Sequence, residues 1–287
     1  MIEDIIPVIS EKLEGEIVST KPLSGGSISS AYLINTTQAQ FFIKINSADS
    51  AIEMFHAEQK GLEAIEYTDT IAVPHVHLVG THNENAYILM DYVESKRPTP
   101  SDYGKLGEKL AMLHQIKADK FGFSSDNFIG SLPQSNNTHG NWSEFYWSER
   151  ISPQFELAME KELLRSEEIP SIEQFINIFN SVTSNVEPSI LHGDLWGGNY
   201  LISNEGTPYL IDPAVYYGHS MVDIAMSQLF GSFGSEFYNS YHKIIAKSEN
   251  YNEQIDLYQL YFLLVHLNMF GKGYYSSVST ILKRYFI

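Results

Sequence analysis

The period of hydrophobic and polar positions changes along this chain, and the changes predict its elements. Residues 2–13 carry apolar side chains at helical spacing. Residues 16–46 then read as short strands: Ile17-Val18, the alternating Tyr32-Leu33-Ile34 and Phe41-Phe42-Ile43-Lys44-Ile45, with a turn signal at Ser24-Gly25-Gly26-Ser27. Asp49 to Ile65 returns to helical spacing, with Met54, Leu62 and Ile65 among its apolar positions. Two further strands are expected near Val76–Gly80 and Ala86–Met90. After Tyr92 helices take over. Ser101–Ile116 places Leu106, Leu110 and Leu113 on one stripe, with Ser101 as the expected N-cap before acidic Asp102. Trp142–Leu164, interrupted at Pro153, and Ser171–Ser184 follow as helices. A strand-and-loop region starts at Ile190-Leu191. Tyr200–Ile202 and Tyr209–Ile211 form a hairpin around Asn204-Glu205-Gly206, and from Met221 onward the pattern is helical again. Strands with one helix, then helices with one hairpin, predict an α+β chain in two lobes, residues 1–91 and 92–287, hinged at Met90–Glu94.

Composition narrows the partners. The 287 residues carry 18 basic and 35 acidic side chains, a net charge of −17, which argues against nucleic acid or an anionic membrane as the main partner. A phosphate site needs only a few local cations, so ATP stays open. With 43% hydrophobic and 18% charged residues the chain reads as folded. Cysteine is absent, which excludes disulfides, thiolate metal sites and a cysteine nucleophile and fits a reducing cytoplasm. The first sixteen residues lack the basic region of a signal peptide. Leu257–Phe270, interrupted by Gln259, His266 and Asn268, is too short and polar to span a bilayer and reads as a buried helix.

The sharpest chemical signal is His192-Gly193-Asp194-Leu195-Trp196-Gly197-Gly198-Asn199. Asp194 can orient an attacking hydroxyl and accept its proton, and the amide oxygen of Asn199, five residues on, is a hard ligand for Mg²⁺. Asp212, at the end of the strand Tyr209–Ile211, adds a carboxylate for the same ions. The bland alternative is an ordinary turn at His192-Gly193-Asp194 with Asn199 as a local cap. Lys44 stands in an otherwise apolar strand. It reads either as the cation for the α- and β-phosphates, with Glu58 as helix partner ahead of Glu53 and Glu63, or as a solvent-facing edge lysine. Gly25, Gly26 and Ser27 are either a small loop over the phosphates or a plain hairpin turn. No Walker-type phosphate loop and no serine-hydrolase elbow is present. His56, His75, His77, His114, His242 and His266 lack metal-ligand spacing and read as surface or satisfied core histidines.

The run Leu191 to Asn199, then Ile211-Asp212-Pro213-Ala214 and Tyr216-Tyr217-Gly218-His219, resembles the fructosamine (ketosamine) kinases. So do Phe121-Gly122-Phe123, Asp126-Asn127, Ile129-Gly130, Gln134, Asn136, Trp142 and Leu229–Phe233 with Phe237-Tyr238. The likeness spans residues 20 to 270. His-Gly-Asp alone fits any aminoglycoside-phosphotransferase-like kinase, and the longer runs narrow it. The resemblance implies a bilobal protein-kinase-like fold that binds ATP and Mg²⁺ between its lobes. Asp194 takes the base position, Asn199 and Asp212 the metal positions, and Lys44 and Glu58 the phosphate-holding pair. Met90, Asp91, Tyr92 and Val93 form the adenine hinge, Trp196, Tyr216 and His192 lie on the substrate side, and Asp223 braces the catalytic loop. It implies transfer of phosphate to the 3-hydroxyl of a ketosamine, a glycated small amine or a glycated protein lysine, so that the adduct falls off. Ser220-Met221 replaces the family's usual Arg-Glu, which leaves fine acceptor preference open. A kinase of an aminoglycoside, choline or another small alcohol, and a nucleotide-binding pseudokinase, are the alternatives.

Overall fold

The two faces of the N-terminal sheet carry different work. The computed structural model describes residues 2–13, 15–23 and 29–286. Helix α1 (Ile2–Ser10) precedes strands β1 (Ile17–Leu23), β2 (Ser30–Thr36) and β3 (Gln40–Asn46). Helix α2 (Ala51–Glu66) and strands β4 (Val76–His82) and β5 (Asn85–Asp91) follow. The sheet is antiparallel throughout, in the order β1-β2-β3-β5-β4. Strand side chains alternate between faces. Phe41, Ile43 and Ile45 of β3 therefore join Ile34, Tyr87 and Leu89 in a small core closed by Ile5 and Ile9 of α1. Phe42 and Lys44 point the other way, toward Phe55, Glu58 and Leu62 of α2 and the rest of the chain. Because β3 is flanked by β2 and β5, Lys44 is an interior position and not an edge lysine.

The remainder is largely helical: α3 (Pro100–His114), strands β6 (Asn127–Ile129) and β7 (Leu132–Gln134), α4 (Trp142–Tyr146), a π-helical turn (Trp147–Ile151), α5 (Ser152–Glu160) and α6 (Ile172–Val182). Strands β8 (Ser189–Leu191), β9 (Tyr200–Ile202), β10 (Pro208–Leu210) and β11 (Tyr216–Gly218) lead into α7 (Met221–Leu229), α8 (Ser235–Tyr241), α9 (Tyr251–Phe270) and α10 (Tyr275–Tyr285). Strands β9 and β10 form the expected hairpin, while β8 pairs with β11. Helix α9 is buried along most of its length, and no helix among the described residues is long and apolar enough to cross a membrane.

Two local details differ from the sequence pattern. Helix α3 starts at Pro100, and its N-cap is Thr99, not Ser101. The Asp102 N–H donates to the Thr99 hydroxyl, and the Asp102 carboxylate accepts the Thr99 N–H, a reciprocal capping box with proline at the first helical position. Pro153 does not break the helical run from Trp142 to Glu160: it falls in the first turn of α5, directly after the π turn, and the Glu149 carbonyl accepts the Arg150 guanidinium.

One core runs through both parts of the chain: Phe55, Leu62 and Met90 share it with Leu106, Leu191, Val215 and Leu264. Helix α2 approaches residues 213–215 closely through Gly61, where a Cβ would stand 3.1 Å from Pro213 Cγ and 3.3 Å from Val215. This contact brings the Glu58 turn of α2 against the segment after Asp212. Tyr216 lies opposite Leu191 in the β8–β11 pair and has no exposed surface, and its hydroxyl has no hydrogen-bond partner among the described residues. An unpaired buried hydroxyl costs roughly 1–3 kcal/mol. Tyr216→Phe should therefore raise the thermal unfolding midpoint; a midpoint lowered by several degrees would show that the hydroxyl is bonded.

Candidate active site

The loop after β8 is fixed by a buried carboxylate. Gly193 has φ +85°, and a Cβ there would lie 2.0 Å from the Ala214 carbonyl oxygen, so only glycine fits. Asp223, in the first turn of α7, accepts the backbone N–H groups of His192 at 2.7 Å and Gly193 at 2.9 Å. It also meets His114 Nε2 at 3.1 Å, and His114 Nδ1 lies 2.8 Å from the Tyr241 hydroxyl. Burial alone would raise the Asp223 carboxyl, but His114, His192 and the Gly193 N–H outweigh it and hold it below its usual value. The negative charge under the loop is thus matched by donors on three sides.

His192 pins this loop to the next one. Its Nε2 donates to the Ile211 carbonyl at 2.8 Å, and its Nδ1 accepts the Asp194 N–H at 3.2 Å. Those partners assign the neutral Nε2–H tautomer, and burial pushes the imidazole pKa down. The Ile211 carbonyl directly precedes Asp212, so one ring sets the spacing of both acidic loops. Asp212 itself has φ 55°, a left-handed backbone for a non-glycine residue of the kind found at functional sites.

Five of the sequence-derived groups make contact here, in two sets. The Asn199 amide donates to the Asp194 carbonyl at 2.8 Å and to its Oδ2 at 3.1 Å, which turns the Asn199 oxygen away from Asp194. Lys44 donates to Glu58 Oε1 at 2.8 Å and contacts Asp212 Oδ1. Burial pulls the Lys44 ammonium down, but Asp212 and Glu58 together hold it above its usual value. Asp212 is held low because Lys44 outweighs its burial. Burial, with the Asp212 charge beside it, pushes Glu58 up to about 7 against the pull of Lys44. Burial and the neighbouring Asp212 and Asp223 charges likewise push Asp194 up to about 7, partly offset by the Asn199 hydrogen bond.

The other expected site residues divide. Met90 is buried in the core at the end of β5, and the Asp91 carboxylate turns to His77 Nε2 at 2.7 Å. The Asp91 N–H goes to the His75 carbonyl and the Tyr92 N–H to the Gln40 carbonyl, while nothing among the described residues accepts the Val93 N–H. Trp196 is 40% exposed in the loop between Asp194 and Asn199. His192 and Tyr216, expected on the substrate side, have no exposed surface: the first bridges two loops, and the second packs under Arg150 and Phe145. Gly25, Gly26 and Ser27 lie outside the described residues. Pattern reading passed over His114 as one more satisfied core histidine, which it is, without its link to Asp223. It did not single out Arg150 at all.

The donor chemistry suits a hard divalent cation. Asn199 and Asp212 offer an amide and a carboxylate oxygen, and among the described residues no group of three or more His, Cys, Asp or Glu side chains forms a protein cage. Magnesium fits such a site, because it takes one or two protein oxygens and completes its shell with water and phosphate oxygens.

Comparison with known proteins converges on one family. The fructosamine kinase family model matches residues 1–287. A protein-ribulosamine 3-kinase of Arabidopsis thaliana is 37% identical over 284 residues, covering 97% of this chain and 86% of that one. A probable ketoamine kinase of Enterococcus faecium is 37% identical over 288 residues, covering 98% of this chain and all of its own length. A Haemophilus somnus crystal structure assigned provisionally as a fructosamine-3-kinase superposes with a TM-score of 0.87 at 30% identity, covering 99% of this chain and 97% of that one. The aminoglycoside phosphotransferase APH(4)-Ia, solved with ADP and hygromycin B, shares the fold at 14% identity and a TM-score of 0.64, with 98% of each chain covered. The chain belongs to the fructosamine kinase family.

Proposed function

We propose that this protein transfers the γ-phosphoryl group of ATP to the 3-hydroxyl of a ketosamine, using the residues gathered between the N-terminal sheet and the loops that follow β8 and β10. The observation that carries the residue assignment is the contact of Lys44 with both Glu58 and Asp212, which links β3, α2 and the end of the hairpin at one point. Lys44 is the fixed cation for the α- and β-phosphates, and Glu58 holds it. Asn199 and Asp212 hold Mg²⁺, which when bound neutralises charge on the phosphate oxygens. Val93 offers its unpartnered N–H to adenine. Asp194 orients the sugar hydroxyl and takes its proton as the oxygen attacks phosphorus and ADP leaves. Most of the rate enhancement then comes from positioning and electrostatics.

The acceptor we infer is a glycated small amine or a glycated lysine. The net charge of −17 favours a cationic acceptor over an anionic one. Exposed Trp196, two residues past Asp194, offers a ring face to a sugar. The cysteine-free composition fits a reducing cytoplasm.

Two measurements test the role of Asp194. Asp194→Asn should bind ADP as the parent does in calorimetry yet turn over roughly two to four decades more slowly on a glycated amine, read by mass of the phosphorylated product. Near-parental turnover would remove Asp194 from the mechanism. The second concerns pH. A base must be deprotonated to work, and Asp194 sits near 7, so kcat/KM should rise as pH increases through about 7 and level above it. The same shift has a stability consequence. A carboxyl whose folded pKa lies above its unfolded value weakens the fold progressively from about pH 4 upward, once the unfolded chain ionises it, and fully above about 7. Asp194→Asn should accordingly raise the unfolding midpoint more at pH 8 than at pH 5. An equal effect at both values would contradict the raised pKa.

A further inference from the structure

The π-helical turn Trp147–Ile151 brings three consecutive residues, Glu149, Arg150 and Ile151, to the interior. A regular α-helix presents residues three and four apart on one face, and the wider turn relaxes that rule. Arg150 has no exposed surface. Its Nη1 donates to the carbonyls of Ser135 at 2.6 Å and Glu149 at 2.9 Å, and its Nη2 donates to Asn136 Oδ1 at 2.6 Å. The guanidinium lies 4.0 Å from the Tyr216 ring centroid and 4.8 Å from that of Phe145. Adjacent Glu149 turns its carboxylate to His139 Nε2 at 2.8 Å, and no carboxylate among the described residues pairs with Arg150. A buried cation with no carboxylate partner carries a large desolvation cost, so its place here is weak evidence for a stabilising role, although removing it leaves its buried acceptors unpaired.

What Arg150 joins points to another use. The Phe123 N–H donates to the Asn136 carbonyl, and Gly122 exchanges both backbone hydrogen bonds with Tyr217 of β11. Strand β11 pairs with β8, which ends one residue before His192-Gly193-Asp194. Backbone hydrogen bonds therefore run without a break from residue 136 through 122–123 and β11 to the strand that delivers Asp194. Arg150 grips both ends of this relay, Ser135 and Asn136 by its forked donors and Tyr216 by its flat face. A lysine lacks the planar fork that makes both grips possible.

We propose that Arg150 is a positioning residue for Asp194, setting through Tyr216 and β11 how far the catalytic loop projects from the protein. The inference rests on the phosphoryl transfer proposed above, and Lys44, Glu58 and Asp212 take no part in the relay. Arg150→Met should therefore lower kcat about 10- to 100-fold, the scale of a 1 Å misplacement, while ADP affinity stays within about twofold. Arg150→Lys should lie between parent and Met variant. Hydrogen–deuterium exchange gives a readout independent of turnover: the 192–194 amides should exchange faster in Arg150→Met, with those of β3 and α2 unchanged. Unchanged exchange at 192–194 overturns the proposal even if no ketosamine is turned over, whereas an inactive parent protein with the expected exchange pattern counts only against the acceptor. A folded Met variant with kcat within twofold of the parent also overturns it, as does a joint loss of ADP affinity and stability. Should Arg150→Met not fold, Asn136→Ala decides by the same exchange criterion, because it removes the Nη2 acceptor and, besides that, one side-chain hydrogen bond to the Ser125 carbonyl.

Discussion

The Lys44 ammonium, held between Glu58 and Asp212, is the interaction on which the remaining geometry depends. Each partner arrives by a different route: Lys44 from an interior strand, Glu58 from the helix that follows it, and Asp212 from the end of a hairpin 168 residues away. Strand alternation points Lys44 away from the α1 core. Gly61 lets α2 sit down on the Pro213 segment, so that Glu58 and Asp212 reach the same cation. Without that close approach Glu58 and Asp212 would not share one cation, and without the ammonium the two carboxylates would repel each other.

The second acidic group, Asp194, is positioned from beneath. Asp223 grips the backbone of residues 192 and 193, His114 and Tyr241 back Asp223, and His192 spans the gap to Ile211. These side chains have no access to solvent, so their contribution is to hold geometry and charge, not to meet a ligand. The result is a carboxylate raised to about 7 near another held low, a pair suited to separate duties of proton acceptance and cation binding.

Much of this was legible in the sequence. The change of period after Tyr92 gave the sheet-then-helices layout, and the strand around Lys44 and the spacing of Asp194, Asn199 and Asp212 named the groups that meet. What was not legible depends on contacts between distant segments. The β8–β11 pairing joins two three-residue strands too short to show a period. The π turn has the same composition as an α-helix, so the inward Arg150 reads as one more polar position. The family resemblance set Tyr216 and His192 on the substrate side. Yet alternation in β11 and the tight Gly193 bend turn both into the interior. The Thr99 cap was missed because Ser101 is also a good capping residue, and only Pro100 distinguishes the two.

The central claim is that Lys44, Asp194, Asn199 and Asp212 surround one triphosphate and its divalent ion. A crystal structure of the protein with AMP-PNP and Mn²⁺ tests it most directly. Anomalous density should place the manganese about 2.1–2.2 Å from oxygens of both Asn199 and Asp212, with Lys44 on a phosphate oxygen and Asp194 facing the γ-phosphorus. Metal and phosphates bound elsewhere, or a nucleotide touching none of these four side chains, would contradict the account.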